Sequence, residues 1–314
     1  MWYNIPKGCE IMIDFQKFDL SQKEKYNQYL MNSGERGCEY SFVNLNLWGR
    51  QKCAFVEGYL VLFSQFERRS VYPFPVGKGD IKPVLDAIIA DARERGIVCR
   101  LTGLTAQDCM TLEELYPGQF QLHPDRNGCD YIYDINDLAD LKGRKFQKKR
   151  NHLNKFRENH PDCKVLPITE ELLPQIQEMV DTWYQRRSVE GVSDDFHLEK
   201  QALRRAFAHM EELGLEGLVL MEAGNILAMT MGSRLSDVTF DVHFEKAVEE
   251  VDGAYPAINQ AFAAHLREKY PDLLYLDRED DMGLAGLRKA KLSYNPHHLV
   301  TKFWARLWEE DDES

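Results

Sequence analysis

The chain has 314 residues, 44% of them hydrophobic, and a formal net charge of −12. That is enough apolar material for about two domains, and it excludes both a disordered chain and a general nucleic-acid coat, whose affinity would come from basic charge. Seven cysteines with no C-x-x-C pair exclude a disulfide framework and a spaced zinc site, and they fit a reducing compartment.

Charged residues from Lys7 to Asp19 break up the start of the chain. No run approaches the ~20 apolar residues that span a bilayer. The expectation is a cytoplasmic chain with no transmembrane segment, at most peripheral at a membrane. A helix at Gln22–Met31 opens the pattern. A hairpin follows, from Cys53–Val56 through a Glu57-Gly58 turn to Tyr59–Phe66, then a strand at Ser70–Phe74. Helix Ile81–Arg95 ends at Gly96, a good C-cap. Strand Ile97–Leu101, a short helix Ala106–Tyr116 and strand Asp130–Ile135 follow.

The same order then recurs. Apolar residues at Leu172, Leu173, Ile176, Met179, Val180 and Trp183 make one face of a helix over Thr169–Arg187, and a second helix covers Leu198–Leu213. A hairpin of Gly217–Met221 and Ile226–Ser233 follows, turning at Glu222–Asn225. Next come strand Val238–Phe244, helix Gly253–Lys269, strand Leu273–Asp277, short helix Gly283–Leu292 and a last strand Leu299–Leu307. This order is similar to that of the GNAT acyltransferase fold. The expected fold is therefore α/β (α+β) with two tandem GNAT-like domains, each a mixed, mostly antiparallel sheet flanked by helices. They are placed at 10–140 and 162–314, with a basic bridging helix at 141–161.

Four features could carry chemistry. The bridge holds eight Lys/Arg and no acid from Lys142 to Arg157, including Lys149 and Arg150. It reads either as an anion site or as a solvated helix balancing acidic neighbours. On strand Val238–Glu245, period-2 alternation puts Thr239, Asp241, His243 and Glu245 on one face. There His243 between two carboxylates is a candidate general base, and an edge strand with a wet face is the alternative. The helix start Asp252–Gln260 carries Tyr255 and Asn259. Its preceding loop, Glu249–Ala254, lacks the Q/R-x-x-G-x-G/A pattern with which GNAT acetyltransferases bind the CoA pyrophosphate, and its acids would repel phosphate. Finally, Asp277 ends a strand, Asp280 or Asp281 can cap the next helix, and Arg288 and Lys291 project from one side of it, able to hold a carboxylate or phosphate.

Together, the basic bridge, the Gly-Ala-Tyr-Pro helix start and the string Gly-Leu-Arg-Lys-Ala-Lys-Leu-Ser-Tyr-Asn-Pro resemble the C-terminal domain of phosphatidylglycerol lysyltransferases. The likeness to Fem-type aminoacyltransferases is more distant. The resemblance implies aminoacyl transfer from aminoacyl-tRNA to a lipid or small-molecule acceptor, with no metal and no covalent intermediate. It implies that Lys149 and Arg150 contact tRNA or an anionic phospholipid headgroup, and that Arg288 and Lys291 line the pocket. The expected site is His243, Asp241, Glu245 and Arg288 for catalysis. Lys149, Arg150, Tyr255, Asn259, Asp277 and Lys291 are assigned to binding. A CoA-dependent N-acetyltransferase using acetyl-CoA and a non-catalytic ligand-binding protein are the alternatives.

Overall fold

The computed structural model describes residues 12–31, 36–49, 51–65, 69–189 and 195–308. The acidic tail beyond Trp308 lies outside them, as does the end of the first hairpin at Phe66. The chain forms two compact units, one of residues up to Arg126 together with those from Thr301, the other from Asn127 to Val300.

The first unit holds β1 (Gln16–Lys17), α1 (Lys23–Leu30), α2 (Phe42–Trp48), β2 (Gln51–Val56), β3 (Tyr59–Gln65), β4 (Ser70–Pro73), β5 (Val76–Gly77), α3 (Lys82–Glu94), β6 (Arg100–Leu104), α4 (Ala106–Leu115) and β7 (Phe120–Pro124). The β2–β3 turn works because Glu57 and Gly58 both take positive φ, 47° and 80°, the conformation that a two-residue hairpin turn requires. Helix α3 carries Val84, Leu85, Ile88, Ile89 and Ala92 on its buried face. These pack on Val61, Phe63, Tyr72 and Leu101 of the sheet.

The second unit begins with β8 (Asp130–Asp134), α5 (Ile135–Asp140), α6 (Gln147–Asn159), β9 (Lys164–Pro167), α7 (Leu173–Val189), α8 (Asp195–Ala208) and α9 (Met210–Leu213). It continues through β10 (Glu216–Glu222), β11 (Asn225–Arg234), β12 (Thr239–Ala247), α10 (Ala254–Lys269), β13 (Tyr275–Asp277), α11 (Ala285–Leu292) and β14 (His298–Val300). The chain then gives β15 (Phe303–Leu307) back to the first unit, between β6 and β7.

Each sheet is mostly antiparallel, with one parallel pair closed by a helix. In the first unit β4 and β6 are joined through α3. In the second, β12 and β13 are joined through α10. This is the mixed α/β arrangement expected of the chain.

The unit boundaries differ from 10–140 and 162–314. Strand β8 hydrogen-bonds to β13 and β14, so it belongs to the second sheet. The last strand divides at Thr301 into β14 and β15, which serve different sheets. Nor is the basic segment a bridge between units. Phe146, Leu153 and Phe156 are buried in the second core beside Ala254, Ala257 and Ile258 of α10, and truncating Phe156 would cost roughly 3–5 kcal/mol. The packing is close at Gly253. Its φ is +84°, and a Cβ there would lie 2.5 Å from the His152 carbonyl oxygen and 2.9 Å from the Phe156 Cβ.

Candidate functional site

The β11–β12 ladder pairs Met231 with Phe244 but Gly232 with Val242, so His243 is an extra residue. This β-bulge reverses the alternation beyond it. Phe240 and Val242 lie in the core shared with α10, which turns Asp241 to the opposite face. Past the bulge, Asn259 of α10 donates to Glu245 at 3.2 Å, while Lys246 reaches Glu199 of α8 at 2.7 Å and the Trp183 ring of α7. Asp241, His243 and Glu245 therefore do not share a face, as strict alternation had suggested. Glycine at 232 is what lets the bulge close, since a Cβ there would sit 2.0 Å from the Asp241 carbonyl oxygen.

The bulge leaves His243 and Asp241 in one buried cluster and Glu245 in another. In the first, His243 Nε2 lies 2.8 Å from Ser233 Oγ, and Nδ1 lies 3.2 Å from Glu279 Oε1 and 3.4 Å from Asp241 Oδ2. Two carboxylates thus fix the ring. Its far nitrogen addresses a hydroxyl, an order that can move a proton between Ser233 and the imidazole.

The second cluster sits where the parallel strands part. β12 and β13 pair only from Thr239 with Tyr275 to Asp241 with Asp277, and β12 then runs on to Ala247 while β13 ends. Crevices at the carboxyl ends of parallel strands are where ligands bind in open α/β sheets. Arg278, the first residue after β13, crosses this gap and donates from Nη2 to Glu245 at 2.8 Å. Its guanidinium lies over the rings of Tyr133 (5.6 Å) and Tyr294 (4.9 Å). Burial alone would lower the Arg278 pKa, but Glu245 and the two phenols hold it above its ordinary value. Lys149 of α6 lies over the same Tyr294 ring, 3.7 Å from its centroid. Burial, and then the nearby Arg278 charge, push its ammonium down to about 8 against the pull of Glu245.

Three buried polar atoms here have no hydrogen-bond partner among the described residues: Arg278 Nη1, Asn259 Oδ1 and Thr230 Oγ1. Thr230 is the direct cross-strand neighbour of Glu245. Leaving such groups unsatisfied costs about 1–3 kcal/mol each, so a ligand that pairs with them recovers that cost. Sequence reasoning named Glu245, Asn259 and Lys149 for separate reasons. It missed Arg278, Thr230, Tyr133 and Tyr294.

The remaining candidates hold this site in shape. The loop after β13 carries two non-glycine residues at positive φ, Glu279 (56°) and Met282 (49°), a conformation that persists only when its surroundings enforce it. Lys291, buried and with its pKa lowered by that burial, donates to the carbonyls of Arg278 and Asp280. Asp277 accepts from the Glu279 amide at 2.7 Å. Asp281 accepts from the Gly283 amide, from Tyr131 Oη at 2.5 Å, and from Arg288 Nε and Nη2, both at 2.7 Å. The Arg288 guanidinium holds the Asp281 carboxyl well below the usual carboxylate range. Asp280 and Asp281 close the turn ahead of α11 rather than capping the helix itself.

Arg150 donates to the carbonyls of Leu141 and Gly143, and Tyr255 is half-buried against the second core. Most of the basic stretch is engaged locally: Lys142 with Asp140, Lys145 with Asp137, Lys155 and His152 with Asp252. Exposed Arg144 and Lys148 have no partner among the described residues. At the start of α10, the Ala254 amide bonds the Val251 carbonyl at 3.2 Å and Pro256 has no N–H.

A sequence profile of the phosphatidylglycerol lysyltransferase C-terminal family matches residues 31–306. The chain belongs to this family. A conserved protein of unknown function from Bacteroides thetaiotaomicron is 37% identical, with 95% of this chain and all of that one covered, at a TM-score of 0.88. L-PGS from Bacillus licheniformis superposes at a TM-score of 0.67, with 15% identity over 93% of this chain and 92% of that one. FemX superposes at 0.57, with 10% identity over 95% and 98%. At those identities the last two likenesses show the fold alone. An uncharacterised protein of Mycoplasmoides gallisepticum is 27% identical over 57% of this chain, a match spanning 56% of that relative's length. The family indicates an acyltransferase of the lysyl-phosphatidylglycerol synthase type, and FemX shares its fold. No helix among the described residues is long and apolar enough to cross a membrane.

Proposed function

We propose that this acyltransferase moves an aminoacyl group from aminoacyl-tRNA to a hydroxyl or amine on a lipid or small-molecule acceptor. The observation that carries the reading is the unsatisfied set around Glu245. Among the described residues, Arg278 Nη1 is a buried donor and Asn259 Oδ1 a buried acceptor without a partner, and a carboxylate lies between them. An α-aminoacyl ester has the complementary groups. Its carbonyl oxygen fits the Arg278 donor, and its ammonium fits Asn259 Oδ1 and the Glu245 carboxylate. As the acceptor attacks, negative charge builds on that carbonyl oxygen, and a fixed guanidinium in a water-poor site stabilises it.

An acetyl group has no ammonium for Glu245. The start of α10, with the Ala254 amide engaged, no N–H at Pro256 and Asp252 beside it, is a poor pyrophosphate cradle. These points favour aminoacyl-tRNA over acetyl-CoA. Arg144 and Lys148 are the cations left for tRNA or headgroup phosphate.

The test incubates the chain with total tRNA charged with labelled amino acids, offering phosphatidylglycerol vesicles and small hydroxyl and amine acceptors. Label should appear in an acceptor. Binding without transfer would make this a ligand-binding member of the fold, and transfer from acetyl-CoA alone would overturn the reading.

A further inference from the structure

We propose that Lys149 is the catalytic base of the aminoacyl transfer, taking the proton from the attacking hydroxyl or amine. The inference rests on the reading above and adds a catalytic residue to that site.

Lys149 differs from every other cation of its segment. Lys142, Lys145 and Lys155 end on carboxylates, Arg150 on main-chain carbonyls, Arg157 on the Gln260 side-chain oxygen, and Arg144 and Lys148 in solvent. Lys149 alone is turned inward, onto the Tyr294 ring that also carries Arg278, and among the described residues no carboxylate lies within ion-pair reach of it. Each group facing it is fixed. Arg278 comes from the loop after β13, Glu245 from β12 and Tyr294 from the end of α11. On its own helix, His152 is turned to Asp252.

A lysine held beside an arginine on an aromatic face, with the carboxylate that acts on it, Glu245, already bonded to that arginine, is set up to shed its proton. The lowered pKa of about 8 agrees, and it leaves an appreciable neutral fraction at physiological pH. Proton transfer then balances. Neutral Nζ takes the acceptor's proton as the new C–O or C–N bond forms, and the resulting ammonium returns it to the departing ribose oxygen as the old ester C–O bond breaks. Positioned bases of this kind contribute roughly 10²–10⁴-fold.

The test pairs two measurements on the intact chain. The first is competitive acetic anhydride labelling across pH 6–11, read by peptide mass spectrometry, with exposed lysines as the internal reference. Lys149 should become reactive with a midpoint near 8. The second is transfer kinetics from charged total tRNA to phosphatidylglycerol vesicles for wild type and Lys149→Arg. Arginine keeps the cation over Tyr294 but cannot accept a proton at these pH values. The variant should lose roughly 10²–10⁴-fold in kcat with KM nearly unchanged, and the rise of the wild-type rate through pH 8 should flatten. A labelling midpoint at the ordinary lysine value of about 10.4, or a variant with wild-type kcat, overturns the assignment alone. A wild type that transfers from no aminoacyl-tRNA overturns the functional reading, and this inference with it.

Discussion

The two units close their parallel strand pairs with the same device, and they finish the job differently. In the first, α3 places one buried carboxylate, Asp91, against the sheet, and every approach to it is used. It accepts from the Ile13 amide at 2.8 Å, from Tyr72 Oη at 2.7 Å and from Arg95 Nε at 2.7 Å. The end of that pair is filled as well. Tyr40 donates to the Phe74 carbonyl, and a Cβ on Gly103 would sit 2.8 Å from the Tyr40 oxygen. In the second unit, α10 presents Asn259 at the corresponding helix, and its Oδ1, Arg278 Nη1 and Thr230 Oγ1 have no partner among the described residues. One crossover is built as structure. The other keeps polar capacity in reserve at the mouth of its diverging strands, which is the mark of a site.

The comparison breaks first at Asp91. Asp91→Ala leaves an amide, a phenol and a guanidinium without their acceptor, a loss of about 3–5 kcal/mol for a broken buried pair. Urea unfolding should show that loss, while transfer per folded molecule stays at the wild-type level. Reduced activity at full folding would mean that the first crossover also takes part in the chemistry. Next comes Arg278→Ala, which should cost about 10²–10³-fold in kcat, the usual effect of losing one oxyanion donor. A variant that keeps its rate would move the site elsewhere, with the Ser233–His243 cluster as the next place to look.

Arg288→Ala tests whether the loop is held rather than used. The Asp281 carboxyl is depressed in the folded protein. Its contribution to stability is therefore present above the unfolded value near 3.8 and is lost as pH falls through the lower folded value. The difference in Tm between wild type and variant should be largest near neutral pH and shrink in acid below that point. A difference that is flat with pH would remove the Asp281–Arg288 pair as its cause.

Much of this was legible in the sequence, and the illegible parts have local causes. The hairpins were readable because Glu57-Gly58 and the Gly-Asn of Glu222–Asn225 are local turn chemistry, and the structure turns at Glu57-Gly58 and Ala223-Gly224. The buried side of α6 is written in the spacing of Leu153 and Phe156, three residues apart on one helix face. Placing β8 in one sheet and β15 in the other depends on pairings made across the chain, which leave no trace in a local pattern. The face of Glu245 was misjudged because alternation assumes an unbroken ladder, and one inserted residue at His243 reverses it. Arg278 was passed over because its role comes from the divergence of β12 from β13, and that is tertiary information.

The smallest expected effect is also the most discriminating between the two crossovers. Thr230→Val and Tyr72→Phe each remove a buried hydroxyl, at Thr230 replacing it with a methyl of similar volume. Tyr72 Oη is bonded to Asp91, so Tyr72→Phe should destabilise the protein by about 1 kcal/mol, the net worth of an ordinary hydrogen bond. Thr230 Oγ1 is bonded to nothing among the described residues. Its replacement removes a desolvated polar atom and should leave the ligand-free protein as stable as wild type, or slightly more so. If Thr230 serves the ligand, the same change raises KM for the aminoacyl donor. Opposite signs for two chemically similar deletions would establish that the second crossover is unsatisfied by design. Equal losses of stability would mean that Thr230 is already paired in solution, and that the polar reserve around Glu245 is smaller than the geometry indicates.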